Sequence, residues 1–110
     1  MEEFIKGDIV VIPFPFSDLS SIKKRPAFVV SRLKGDDVIL CQITSKTVKD
    51  KYSISLLRTD FAKGNLLVDS NIRPNRIFTA DKGLILYKVG NVKERKTKEI
   101  IRKIVEIISN

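Results

Sequence analysis

The sequence predicts a mainly β protein: a compact antiparallel barrel with short helices, closed at one end by a C-terminal helix. Short apolar runs recur along the chain with Gly, Asp or Asn between them, as in strands joined by turns. The last stretch has apolar residues at helical spacing instead. Because the 110 residues contain no linker, repeat or low-complexity tract, residues 1–110 are expected to form one domain.

The first three strands are expected where β-type apolar residues cluster. The first covers 8–13, and Pro13 and Pro15 should end its pairing because proline cannot donate to a ladder. The second, 27–33, and the third, 38–43, are separated by a Gly-Asp turn and should form a hairpin. The start of the second strand then lies near the end of the third.

The second half of the chain alternates polar loops with further strands. Residues 59–65 are expected to contain a helical turn closed by Gly64. Two polar, basic segments are expected to be loops: 44–51 and 73–76. Further strands are expected at 52–56, 66–68, 77–80 and 84–89.

A helix is expected to follow the break at residues 90–91 and to end near residue 108. Its apolar residues recur at three- and four-residue steps, which predicts one apolar face that closes the barrel. That face is expected to consist of Ile101, Ile104, Val105 and Ile108. The basic residues between them predict a solvated face rather than a membrane-lying helix.

The chain is strongly basic, with 21 Lys and Arg against 13 Asp and Glu and a net charge of +8. This excess favours nucleic acid, an acidic protein segment or an anionic membrane face, or it is simply a solvated surface. No apolar run approaches the ~20 residues of a membrane span, and the acidic start is not a secretory signal. We expect a cytoplasmic protein without a membrane partner.

Histidine is absent from the sequence, which excludes Ser-His and Cys-His nucleophilic pairs, paired-imidazole ribonucleases and the usual zinc sites. The single cysteine, Cys41, cannot form an intrachain disulfide, which fits a reducing compartment. We interpret Cys41 as a small core residue.

Polar clusters mark the ends of three predicted strands: 23–25, 44–46 and 73–76. The hairpin should bring Arg25 near Thr44 across one sheet edge. If Ile39, Cys41 and Ile43 point inward, the period of two puts Thr44 on the other side, with Gln42. An arginine and a hydroxyl would then share an exposed face.

Such a face suits RNA cleavage in which the 2′-hydroxyl attacks the adjacent phosphate, because that reaction needs no enzyme nucleophile and no metal. Arg25 would stabilise the phosphorane and Thr44 would donate to a non-bridging oxygen. The base is unassigned; Asp18 and Asp81 are candidates as carboxylates beside loops. The alternative is a solvated arginine and an ordinary turn.

These motifs resemble those of PemK/MazF-like toxins of type II toxin–antitoxin systems. The resemblance rests on 7–11 (GDIVV), 13–18 (PFPFSD), 24–31 (KRPAFVVS), 43–45 (ITS), 73–81 (RPNRIFTAD) and 86–92, followed by the terminal helix. It implies an SH3-like β-barrel, a homodimer and a metal-independent endoribonuclease without cofactor. The substrate would be single-stranded RNA cut at short motifs, leaving 2′,3′-cyclic phosphate and 5′-hydroxyl ends. The partner would be an acidic antitoxin, with which the toxin binds DNA.

By the same resemblance the catalytic arginine is Arg25 and the phosphate-positioning threonine is Thr44. RNA contacts are expected from Phe16, Ser17, Asp18, Lys24, Ser45, Lys46, Arg73 and Asn75. Two departures concern acid–base chemistry. Asn75 stands where some members have an aspartate and cannot take a proton. Residues 19–21 (LSS) replace a Ser-Glu-Gln run and so lack its carboxylate.

Two other functions fit the same fold. One is a CcdB-like toxin that binds DNA gyrase without cutting RNA. The other is an RNA-binding SH3-like module, which would need aromatic stacking platforms. The chain offers few rings for that purpose, among them Phe16, Tyr52 and Phe78, and most of its rings are interpreted as core.

Overall fold

The computed structural model describes residues 3–14 and 23–110. Two short 3₁₀ helices, Arg58–Asp60 and Lys82–Leu84, lie between strands. The main elements are β1 (Asp8–Phe14), β2 (Lys23–Arg32), β3 (Asp37–Thr44), β4 (Ile54–Leu56), β5 (Phe61–Gly64), β6 (Ser70–Asp81), β7 (Tyr87–Val92) and α1 (Glu94–Ile108).

Within the described residues the seven strands form one antiparallel sheet in the order β4-β6-β3-β2-β1-β7-β5. The sheet curls into a half-barrel, and α1 packs against β6. The predicted mainly β class, the β2–β3 hairpin and the helix ending at Ile108 are confirmed. No helix in the described ranges is long and apolar enough to cross a membrane.

The central strands are buried on both faces, which explains their continuous apolar runs. One core cluster includes Ile9, Phe28 and Cys41 and is covered by Ile100 and Ile104 of α1. The opposite cluster is built around Val10, Val29 and Leu40, under Phe4. Cys41 therefore lies in the core as expected. The predicted inward set was incomplete, because β3 also buries Val38 and Leu40 on its other face and leaves Ile39 only half-buried.

Pro13 does not end the pairing of β1 as the sequence indicated, and Pro15 lies outside the described residues. Pro13 lies within β1, opposite Lys24, so β2 begins at Lys23 and the basic cluster is strand rather than loop. The segment 73–76 likewise lies within β6 rather than in a loop. There the register shifts between Cys41, paired with Ile77, and Gln42, paired with Arg73, and this bulge accommodates the proline at position 74.

Gly64 ends a strand, not a helical turn. It pairs with Gly90 of β7, which continues through the predicted break to Val92. The two strands approach so closely that a Cβ on either glycine would collide with a backbone carbonyl oxygen of the other strand. The predicted strand at 66–68 is also wrong, because these residues have no strand pairing.

The buried face of α1 agrees with the predicted one only in part: Ile104 is buried and Ile101 packs half-buried against the core, but Ile100 is buried in place of Val105 and Ile108. Ile100 and Ile104 are 0% and 5% exposed, whereas Val105 and Ile108 are 51% and 66% exposed. Apolar periodicity placed the helix but not its rotation, since residues 100 and 101 both start apolar series at helical spacing.

Candidate RNA-cleavage site

The sheet register brings Arg25 and Thr44 to one place. Arg25 pairs with Ile12 of β1, and two residues later Ala27 pairs with Gln42 of β3. Continuing that register by two residues puts Arg25 opposite Thr44. Because residues directly opposite each other on antiparallel strands point to the same face, Arg25 and Thr44 lie on the same side of the sheet, as the sequence predicted.

A pocket of about 180 Å³ opens on this face. The polar side chains at its wall come from three strands, with Arg25 on β2, Thr44 and Gln42 on β3 and Arg73 on β6. The remaining wall is mostly apolar: Ile12, Phe14, Pro26, Ala27, Ile43 and Phe78. Guanidinium groups in partly apolar surroundings are well suited to hold a phosphate, because their charge is less screened than in open water.

Thr44 is held by the chain that leaves β3. Its Oγ1 accepts a hydrogen bond from the backbone N–H of Lys46 at 3.1 Å, and Asn71 Nδ2 donates to the Lys46 carbonyl at 3.1 Å. The bond to Lys46 uses one lone pair and leaves the hydroxyl hydrogen available to donate. This geometry orients the hydroxyl oxygen before any ligand binds.

The two pocket arginines differ in their partners. None of the ion pairs among the described residues involves Arg25. Arg73 instead places Nη2 3.3 Å from Oδ2 of Asp50, and its buried Nε has no hydrogen-bond partner in the described part of the chain. Hydrogen bonds from the backbone N–H groups of Ser53 and Tyr52, with a further contribution from Arg73, lower the pKa of Asp50.

Asp50 is the residue at this site that sequence reasoning missed. The sequence indicates only that Asp50 belongs to the polar segment 44–51, and its contact with Arg73 joins positions 23 residues apart. An Asp in a polar segment often forms an Asx-turn, in which its carboxylate accepts from the backbone N–H two residues later. Such a turn can be suspected from the sequence, but the distant residue that the Asp contacts cannot.

The other predicted contact residues fall into separate groups. Lys24 and Ser45 line an adjoining groove of about 440 Å³ that Arg25 also borders. Lys46 is exposed beside Thr44, and Asn75 is exposed in the β6 bulge; neither lines the pocket. Phe16, Ser17 and Asp18 lie outside the described residues.

Asp81 does not belong to this site. It pairs with Asp37 at the start of β3, whereas Thr44 ends that eight-residue strand. At ~3.3 Å per residue the two ends are roughly 23 Å apart. Asp81 instead accepts a hydrogen bond from the Gly83 N–H at 2.7 Å. In the described residues no cluster of three or more His, Cys, Asp or Glu could hold a metal ion.

Comparison with known proteins agrees with this architecture. The profile of the family described as "PemK-like, MazF-like toxin of type II toxin-antitoxin system" matches residues 5–108. This match makes the curled half-barrel a toxin-type domain. The chain belongs to the PemK/MazF-like toxin family of type II toxin–antitoxin systems. A search of curated proteins finds no sequence match.

Several solved structures share the fold. An endoribonuclease in complex with its cognate antitoxin, from Mycobacterial species, is similar at 13% identity with a TM-score of 0.75, covering 97% of this chain and 96% of that chain. Toxin MazF-mt6 of Mycobacterium tuberculosis gives 13% identity and a TM-score of 0.69, covering 93% and 96%. MazF of Deinococcus radiodurans gives 15% identity and a TM-score of 0.73, covering 100% of both chains.

Proposed function

We propose that this protein is a toxin that cleaves single-stranded RNA at short sequence motifs, without a metal ion or cofactor. The observation that carries the proposal is the placement of Arg25, Thr44 and Arg73 in one pocket of about 180 Å³. Family membership and the likeness to a solved endoribonuclease also support it.

The reaction uses the substrate's own nucleophile. The ribose 2′-oxygen attacks the adjacent phosphorus, the 2′-O–P bond forms and the P–O5′ bond breaks. The 2′-hydroxyl loses its proton and the 5′-oxygen gains one, so the products are a 2′,3′-cyclic phosphate and a 5′-hydroxyl end. Between them lies a phosphorane that carries more negative charge than the substrate.

The pocket residues act on that charge. Arg25, which has no described ion-pair partner, offers a guanidinium fork to the non-bridging oxygens and stabilises the phosphorane. Thr44 donates its hydroxyl hydrogen to one of these oxygens and fixes the phosphate for in-line attack. Lys24 and Ser45 line the adjoining groove and Lys46 is exposed next to it in sequence, so all three are available to contact the phosphates of flanking nucleotides.

The partners follow from family and charge. An acidic antitoxin would oppose the net charge of +8, and a structural neighbour was solved with its cognate antitoxin. We propose that the protein is a homodimer when free, binds such an antitoxin, and binds DNA with it. RNA cleavage and antitoxin binding would both take place in the cytoplasm.

The test is to incubate the purified protein with a long single-stranded RNA in EDTA and map the ends. We expect discrete cuts with cyclic phosphate ends that Arg25→Ala abolishes. Arg32→Ala is the matched control, because Arg32 ends the same strand outside the pocket and pairs with Glu3. Intact RNA together with captured DNA gyrase would instead support a CcdB-like function. Stable RNA binding without cleavage would support a simple binding module.

A further inference from the structure

Asp50 connects the β3–β4 loop to the pocket. Its Oδ1 accepts hydrogen bonds from the backbone N–H groups of Tyr52 at 2.9 Å and Ser53 at 2.8 Å. Its Oδ2 accepts one from Nη2 of Arg73 at 3.3 Å. The carboxylate is therefore oriented by its own loop, with one oxygen directed to the loop backbone and the other to the arginine.

The arginine at the other end of this contact has an unused donor. Arg73 Nε is buried and has no hydrogen-bond partner among the described residues, although Arg73 lines the pocket with Arg25 and Thr44. Buried donors are normally satisfied, so an orphaned one beside a pocket indicates an acceptor that is not among the described residues. Phosphate oxygens are such acceptors, and they suit the planar guanidinium fork.

We infer that Asp50 is a positioning residue for RNA cleavage: through Arg73 Nη2 it orients the guanidinium so that Nε–H donates to an RNA phosphate oxygen in the pocket. The inference rests on the proposed function and assigns a role to a residue outside its three pocket groups. Asp50 is not the general base, because both its oxygens already accept hydrogen bonds and a carboxylate so stabilised binds protons weakly.

The first test separates the charge of Asp50 from its turn. Asp50→Asn keeps an oxygen that can accept from Tyr52 and Ser53 but removes the negative charge opposite Arg73. We expect kcat to fall about ten- to a hundredfold in a variant that loses a little stability but stays fully folded at the assay temperature. The matched control is Asp36→Asn, which makes the same charge change in a surface pair with Lys82 away from the pocket.

A double-mutant cycle distinguishes positioning from a local structural effect. If Asp50 acts through Arg73, Asp50→Asn changes kcat less than about twofold in an Arg73→Gln background. Additive losses, or an Asp50→Asn enzyme as active as the unmodified protein, would overturn the inference.

A binding measurement keeps the inference testable even if the protein does not cut RNA. The probe is a single-stranded RNA oligonucleotide with a 2′-O-methyl group on every ribose, which cannot be cut at any position. Removing a carboxylate makes the protein more basic, so charge alone predicts tighter binding, as expected for Asp36→Asn. Positioning predicts the opposite sign for Asp50→Asn, a loss of about fivefold or more in affinity.

Probe binding without cleavage of ordinary RNA would defeat the proposed function alone. The inference would be overturned if Asp50→Asn bound the probe more tightly than the unmodified protein does, or if the unmodified protein did not bind the probe.

Discussion

Arg25 and Arg73 line the same pocket from strands on opposite sides of β3, yet only Arg73 has a carboxylate partner among the described residues. Two guanidinium groups so placed repel each other in the free protein, and a phosphate between them relieves that repulsion. The ion pair with Asp50 holds Arg73 in place, whereas no carboxylate of the described residues pairs with Arg25.

The hydroxyl of Thr44 is expected to be needed for the chemical step. Thr44→Val keeps the shape but removes the donor, and we expect kcat to fall about 10²- to 10³-fold, as for loss of one transition-state donor. Thr44→Ser retains the hydroxyl and should stay within about tenfold of the unmodified protein. Single-turnover cleavage of a labelled RNA measures both. A fully active valine variant would remove Thr44 from the mechanism.

The Asp50 carboxylate should make stability depend on pH. Its pKa is lowered in the folded state, chiefly by the N–H groups of Ser53 and Tyr52, so its contribution is complete above the ordinary value of 3.8 and is lost as pH falls through the folded value. The difference in urea midpoint between the unmodified protein and Asp50→Asn should be constant from pH 7 to about 5 and shrink below about 4. A gap that widens in acid would contradict this assignment.

Gly64 should tolerate no side chain. Its φ is +72°, and a Cβ there would collide with the carbonyl oxygen of Val89. We expect Gly64→Ala to cost about 3 kcal/mol or more in unfolding free energy, from backbone strain and the steric clash together. Gly35→Ala is the control, because Gly35 has a φ of +88° but no heavy atom within 4 Å of a new Cβ. Equal losses for the two variants would mean that β5 and β7 can separate at little cost.

The thiol of Cys41 should be inert in the folded protein. Burial raises the pKa of Cys41 to about 12, so almost no thiolate exists at neutral pH. A thiol reagent should therefore not label it at pH 8 until denaturant is added. Cys41→Ala should leave the pattern of RNA cuts unchanged. Rapid labelling of the native protein would show that the sheet opens locally.

The rotation of α1 can be tested by truncating two isoleucines. Ile104 is buried against the sheet and Ile108 is 66% exposed. We expect Ile104→Ala to cost about 2–5 kcal/mol and Ile108→Ala less than about 1 kcal/mol. Chemical denaturation at low protein concentration measures both. Similar losses would favour the face that the apolar spacing predicted.

Strand alternation and turn composition predicted a large part of the site. The hairpin and the period of two along β3 were enough to place Thr44 beside Arg25, because both are properties of short stretches of chain. Motif order added the family, which the match over residues 5–108 confirms. The roles of Arg25 and Thr44 remain predictions that the experiments above address.

What the sequence by itself determined is local: that the central apolar stretches are extended, where the hairpin turns, where the helix ends and which polar residues follow the apolar runs. The tertiary structure decided the rest, including the continuity of β6 through its bulge, the close approach of Gly64 to Gly90 and the contact of Asp50 with Arg73. The physical reason is distance along the chain. Periodicity and turn preference act over a few residues, whereas these features depend on which segments, distant in sequence, pair or pack against each other.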